Sequence, residues 1–248
     1  MHISIAAEQI FNIGPIPVTN SMLATGVVSM ALGSLSFLAT KKMSKVPKGI
    51  QNVCEAIVEA LLNLTDSITK DRKLSQKIFP LIATFFIFIL FNNWFGLLPG
   101  FGTIGFHEVS KEGQEVLVPF LRAGTADLNT TVALGVIAVL SAQVIGIAAL
   151  GFVKYFKKFI NLSSPILFFV GLLELVGEVV RVISFAFRLF GNIFAGEVLL
   201  TVLATLIPYV VPLPFYIMEL FVGFIQALVF TMLALVFIKM ATISHENH

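Results

Sequence analysis

Five long apolar stretches, at residues 18–39, 78–98, 129–153, 165–207 and 215–243, set the terms on which this chain can fold. About 20 apolar residues in a helix span the hydrocarbon core of a bilayer, whereas a transmembrane strand needs only ~9–11. In lipid a backbone must satisfy its own hydrogen bonds, so runs of this length are expected to cross as helices. Composition agrees. Of 248 residues 57% are hydrophobic and 12% charged, with mean hydropathy +0.96, against about 25% charged in an average soluble domain. The expected fold class is an all-α polytopic membrane protein. It forms a single membrane domain over 1–248, with 78–98 and 129–153 as one helical hairpin and 165–207 and 215–243 as a second, tilted one.

One segment has a different rhythm. Between 50 and 69, Ile50, Val53, Cys54, Ile57, Val58, Leu61, Leu62 and Ile68 recur at helical spacing, while Gln51, Asn52, Glu55, Glu59, Asn63 and Asp66 take the other face. This predicts an amphipathic helix too polar to span, either lying along the membrane interface or docked on a partner. Lysine and arginine set the orientation by the positive-inside tendency. Lys41, Lys42, Lys45 and Lys48, then Lys70, Arg72, Lys73 and Lys77, then Lys154, Lys157 and Lys158 mark cytoplasmic loops. The N-terminus, the 99–126 loop, in which Glu108, Glu112 and Glu115 outnumber Lys111 and Arg122, and the turn with Pro208, Pro212 and Pro214 then face outward. The tail at 244–248 returns to the cytoplasm.

Other classes are disfavoured. A net charge of +2 does not suggest nucleic acid, and the lone Cys54 permits no internal disulfide. The start Met1-His2-Ile3-Ser4 lacks the basic region of a secretory signal, so the chain reads as unprocessed. With 25 Phe and one Trp, the aromatics read as lipid-facing rather than as a binding cage. No motif of the form G-x-x-x-x-G-K-[ST] is present, so no nucleotide is expected to bind this chain. No cofactor and no metal site are indicated.

The stretch at 165–207 is anomalous. Its 43 residues would make a helix of about 64 Å, while the bilayer core is about 30 Å thick. It must tilt steeply or break, and Gly177, Gly191 and Gly196 are the candidate bending or close-packing sites. It also carries Glu174, Glu178, Arg181, Ser184, Arg188 and Asn192 at steps of 4, 3, 3, 4 and 4. At about 100° per residue these six share roughly a third of the circumference, forming a polar ladder about 27 Å long. Glu197 lies nearly opposite. The next helix places Glu219, Gly223 and Gln226 on one face by the same arithmetic.

A charge inside a bilayer costs at least ~2.5–3.5 kcal/mol on insertion scales, and such residues mark ion pathways or buried pairs. Structural pairing, of Glu178 or Glu174 with Arg181, stays open as an alternative to a functional role. Arg188 is different: the nearest acid on its own face is at least two turns away, so its counter-charge is expected from elsewhere, and from another chain. Arginine stays protonated and acts as a fixed field rather than a relay. Carboxylates can exchange protons when their surroundings disfavour the ion. Glu174, Glu197 and Glu219 are therefore candidate relay groups. Histidine is not, because His2, His107, His245 and His248 lie outside the apolar stretches.

The run from Phe185 through Arg188-Leu189-Phe190-Gly191-Asn192-Ile193-Phe194-Ala195-Gly196-Glu197 resembles the signature R-L-F-[GA]-N-x-x-A-[GD]-[EH] of the a subunit of F-type ATP synthases. Other segments are similar to that family too: Phe79-Pro80-Leu81-Ile82, Asn92-Asn93-Trp94-Phe95-Gly96-Leu97-Leu98-Pro99, Ala126-Asp127-Leu128-Asn129-Thr130-Thr131, Leu173-Glu174 and Ile225-Gln226-Ala227. The resemblance covers about 18–243. It implies a proton-translocating membrane subunit with two half-channels, not an enzyme on its own. Arg188 matches the essential arginine that faces carboxylates of a rotating c-subunit ring. Asn192, Glu197, Glu219 and Gln226 match the outer half-channel, with Asp127 and Asn129 near its mouth. Glu174 matches the carboxylate at the cytoplasmic exit, and Arg181 a basic position one heptad before the arginine. Glu stands at both 197 and 219, where the family also uses His. Phe185 and Phe187 replace Leu or Ile and read as lipid or ring packing. The implied partners are the c ring, peripheral-stalk b subunits, the rest of the synthase and the bilayer. The implied location is a bacterial plasma membrane rather than a mitochondrial one, with the N-terminus outside. The rival readings are an ion-coupled small-molecule transporter and a scaffold subunit with buried ion pairs.

Overall fold

The computed structural model describes residues 6–41, 49–98, 104–109, 115–157, 159, 164–207 and 210–243, and within these the apolar stretches are helices. The tail at 244–248, the lysines at 42–48, Lys111, Glu112, Lys158, Pro99, Pro208 and His2 lie outside the described residues. A short hairpin, β1 (Gln9–Ile13) and β2 (Ile16–Thr19), leads into α1 (Asn20–Thr40). Thr19 caps α1 by accepting from the Met22 amide at 3.3 Å, which meets one of the orphan donors at a helix start.

The amphipathic segment is α2 (Ile50–Thr69). Its C-terminal half packs on its own chain: Leu61, Thr65 and Thr69 are buried. The Thr69 and Ser75 hydroxyls lie 2.5 Å apart across the turn into α3 (Arg72–Phe95). Its N-terminal half leaves Val53, Ile57 and Val58 exposed, an apolar face consistent with either an interfacial or a partner-docking role. Asp71 caps α3, accepting from the Lys73 amide at 2.9 Å and the Leu74 amide at 3.4 Å, and so starts the helix ahead of its apolar run.

The loop expected over 99–126 contains local structure that polarity alone did not announce: an antiparallel hairpin of β3 (Gly105–Val109) and β4 (Glu115–Pro119), then a 3-10 turn at Gly124–Ala126. The turn delivers the chain to α4 (Leu128–Leu150), capped by Asp127, and the short α5 (Phe152–Lys157) follows. The stretch in question is then one uninterrupted helix, α6 (Pro165–Leu206, 42 residues), with no break at Gly177, Gly191 or Gly196. The closing helix α7 (Pro212–Ala241) opens with Pro212 in its first turn, where a missing amide proton is tolerated.

By length and composition α1, α3, α4 and α7 can each cross a membrane. The core lies where α3, α4, α6 and α7 meet, around Phe85, Ile89, Leu134, Ala138, Phe185, Leu189, Ala227 and Phe230. The Phe185 ring centroid is 4.6 Å from that of Phe230 and 5.7 Å from that of Phe237. At the far end Gly196 meets Glu219, so α6 and α7 run antiparallel in contact. Phe185 is thus a core residue and not a lipid- or ring-facing one; at 3% exposure it serves to join two helices. Phe187, 56% exposed, does face outward.

The 3-10 turn sits close against α1 and α3. A Cβ on Gly124 would lie 2.1 Å from Thr25 Oγ1 and 2.7 Å from Asn92 Oδ1. Gly124→Ala is therefore expected to destabilise the chain by about 1–3 kcal/mol through overpacking, read as a lower melting temperature in detergent, and adding Thr25→Ala should recover part of the loss. An unchanged melting temperature for Gly124→Ala would contradict this packing.

Candidate functional site

Burial along α6 follows helical spacing: Phe185, Ala186, Leu189, Phe190, Ile193, Gly196 and Leu200 face inward. The opposite face is left open, with Ser184, Phe187, Arg188, Gly191 and Asn192 exposed. Arg188 Nη2 donates to Ser184 Oγ at 3.2 Å, and among the described residues no carboxylate forms an ion pair with Arg188. Lower on the same face Arg181 is engaged. It pairs with Glu178 one turn back, and its guanidinium carbon lies 4.8 Å from the centre of the Phe237 ring. The ladder thus divides into a paired lower part and an exposed upper part.

A cavity of about 210 Å³ opens beside the lower part, lined by Gln143 of α4, Glu174, Glu178 and Arg181 of α6, and Phe237 and Met240 of α7. Tyr155 of α5 is joined to this wall through Gln143. Its side chain is buried, and its hydroxyl donates to Gln143 Oε1. Burial first, then the nearby Glu178 and Glu174 carboxylates, pushes this phenol up to about 12. It therefore stays protonated and acts as a donor over the ordinary pH range.

A second cavity, of about 100 Å³, lies toward the other end of α6. Arg122, Asn93, Glu197, Thr201, Tyr216 and Glu219 are among its lining. Glu197 is half-buried; its Oε2 accepts from Arg122 Nε at 3.2 Å and lies 3.2 Å from Nη2 in an ion pair. Glu219, 6% exposed, rests on the backbone of Gly196, where a Cβ would stand 2.2 Å from the Glu219 carboxyl carbon. Asn93 fixes the wall: its Nδ2 donates to the Gly223 carbonyl at 2.8 Å and its Oδ1 accepts from Thr125 Oγ1 at 2.7 Å.

The helix pair therefore brings Glu197 and Glu219 into one cavity and Glu174 and Arg181 into another. Arg188 falls between them along α6, seven residues above Arg181 and nine below Glu197. Asn192 and Gln226 are not in the lining of either cavity; Asn192 is exposed and Gln226 half-buried. Asp127 is 4% exposed and structurally committed, accepting from the Asn129 amide at 3.1 Å and from Ser21 Oγ at 2.9 Å. Asn129 is exposed beside it. Sequence reasoning passed over Arg122, Asn93, Gln143 and Tyr155. Asn93 stood inside a family-like segment and Arg122 among the loop charges, but neither signal pointed to a site role. Among the described residues no group of three metal-binding side chains comes together.

Comparison with known proteins gives a consistent result. The family model described as ATP synthase A chain matches residues 21–239. A protein named ATP synthase subunit a from Campylobacter jejuni is 36% identical over 226 residues, covering 90% of each chain. Proteins of the same name from Moorella thermoacetica and Gloeobacter violaceus are 34% identical over 230 residues and 37% identical over 247 residues. These cover 93% and 99% of this chain, and 94% and 93% of the relatives.

The contact between Gly196 and Glu219 is directly testable. Gly196→Ala is expected to cost about 1–3 kcal/mol by forcing the carboxyl aside, seen as a lower melting temperature in detergent. Gly196→Ala with Glu219→Ala should be milder than the sum of the two single changes, because the second removes the obstructing group. Simple additivity would show that the two residues do not touch.

Proposed function

The chain belongs to the ATP synthase A chain family, and on that premise we propose that it is the proton-conducting stator subunit in the membrane sector of an F-type ATP synthase. It works against a ring of c subunits, held by peripheral-stalk b subunits in a bacterial plasma membrane, with its N-terminus outside. The ATP chemistry resides in other subunits. The observation that carries this reading is the arrangement along α6. Two cavities with carboxylates in their lining flank the level of an outward-facing Arg188, and no carboxylate among the described residues pairs with it.

Each part has a physical role. The upper cavity, with Glu219 and Glu197, supplies the outer half-channel; Asn192 and Gln226, which lie outside its lining, extend the polar path toward the ring, and Asp127 and Asn129 stand near its mouth. A proton delivered there neutralises a ring carboxylate, which can then turn into lipid, since the protonated acid is far cheaper to hold in hydrocarbon than the ion. After a circuit the site meets the lower cavity. There the field of Arg188 favours the ionised carboxylate, and the proton leaves past Glu174, with Arg181 part of that wall. Because Arg188 cannot give up its own proton, it also blocks a direct leak between the cavities. Each proton crossing 100 mV supplies ~2.3 kcal/mol, so several must pass for each ATP.

Two substitutions test the reading. Arg188→Ala should abolish proton-coupled ATP synthesis in membrane vesicles while the amount of assembled complex stays near normal; coupled synthesis at the normal rate would refute the role. Glu219→Gln should slow ATP-driven proton pumping at least ~tenfold, in line with the loss of a positioned acid–base group, with little change in melting temperature. Unaltered pumping would remove Glu219 from the path.

A further inference from the structure

The upper cavity holds two carboxylates in unlike company, and the difference traces to a cation that the proton path does not use. Arg122 is 7% exposed. Its Nε and Nη2 both reach Glu197 Oε2 at 3.2 Å, its Nη1 donates to the Ala6 carbonyl at 3.2 Å, and its guanidinium carbon lies 5.6 Å from the Phe194 ring centre. The chain ahead of β1, the segment ahead of α4, and α6 thus converge on one buried charge. Glu219 shares the cavity, yet among the described residues it has neither a hydrogen bond nor an ion pair; Tyr216 is the other titratable group there.

A buried guanidinium cannot shed its proton, so its surroundings must keep an anion beside it. Protonating Glu197 would leave Arg122 buried beside a neutral acid, whereas protonating Glu219 breaks no contact. We propose that Arg122 is a positioning residue that holds Glu197 as a standing anion, so that Glu219 is the group that carries the proton through this cavity. Glu197 then shapes and anchors the entrance rather than relaying. This inference rests on the function proposed above.

The test uses the whole synthase in inverted membrane vesicles, with ATP-driven proton pumping normalised to the amount of assembled complex. Glu197→Gln should slow pumping only about twofold to threefold, against at least ~tenfold for Glu219→Gln. Arg122→Gln should slow it at least about fivefold, because Glu197 is released as a second, competing proton acceptor. Arg122→Lys should restore pumping to within about twofold of normal by keeping the cation. Arg122→Gln combined with Glu197→Gln should do better than Arg122→Gln alone, the free acceptor having been removed. The proposal is overturned if Glu197→Gln is as damaging as Glu219→Gln, if Arg122→Lys fails to rescue, or if the double change is no better than Arg122→Gln. Should Arg122→Gln fail to assemble, the comparison of Glu197→Gln with Glu219→Gln still decides. Normal pumping in both Arg188→Ala and Glu219→Gln would instead sink the underlying functional reading, whatever the Arg122 variants do.

Discussion

On the proposed function, a guanidinium that cannot be discharged, placed on the outer face of an apolar helix, is the constraint around which the rest of this molecule is arranged. Arg188 has one hydrogen-bond donor contact, to Ser184, and the side chains around it on that face, such as Ile183 and Phe187, are apolar and exposed. In hydrocarbon such a charge is tolerated only with a partner or a path to water. The chain supplies pairs elsewhere, Glu178 for Arg181 and Glu197 for Arg122, and leaves this one open. That asymmetry gives the proposed ring carboxylates something to meet.

The scaffold that holds the charge is built by close helix contact. α6 meets α7 through Phe185 between Phe230 and Phe237 at one end and through Gly196 beneath Glu219 at the other. α3 runs along α7, with Asn93 donating to the Gly223 carbonyl and the Trp94 indole donating to the Leu220 carbonyl at 3.0 Å. The buried Asn93 amide thereby finds an acceptor inside an apolar bundle, where an unmet polar group is expensive. The two cavities are what this packing leaves at either end of the pair, and their separation along α6 follows from the helix rise alone.

Much of this was legible in the sequence because the signals are periodic. Apolar run length announced an all-α membrane protein, and the steps between Glu174 and Asn192 put the ladder on one face. The outward position of Arg188, Asn192 and Ser184 agrees with that arithmetic. What could not be read was contact between segments distant in the chain. Arg122 meets Glu197 across 75 residues, and nothing local to either position records it. Phe185 was misassigned for the same reason: it stands one residue from the polar Ser184, and only its contact with Phe230 and Phe237 of α7 shows that its side of α6 is inward. The hairpin in the 99–126 loop is held by backbone pairing, which polarity does not encode.

Disulfide cross-linking tests the central claim most directly. Cys54, the one native cysteine, would be replaced by alanine, and single cysteines set at Ser184, Asn192 or the inward-facing Leu189, each against a cysteine beside the acidic residue of the ring subunit. A disulfide needs α-carbons within about 7 Å. The account predicts cross-links from positions 184 and 192 and none from 189. Failure at both outward positions in fully assembled, active membranes, with cross-links from another face of the chain, would contradict it.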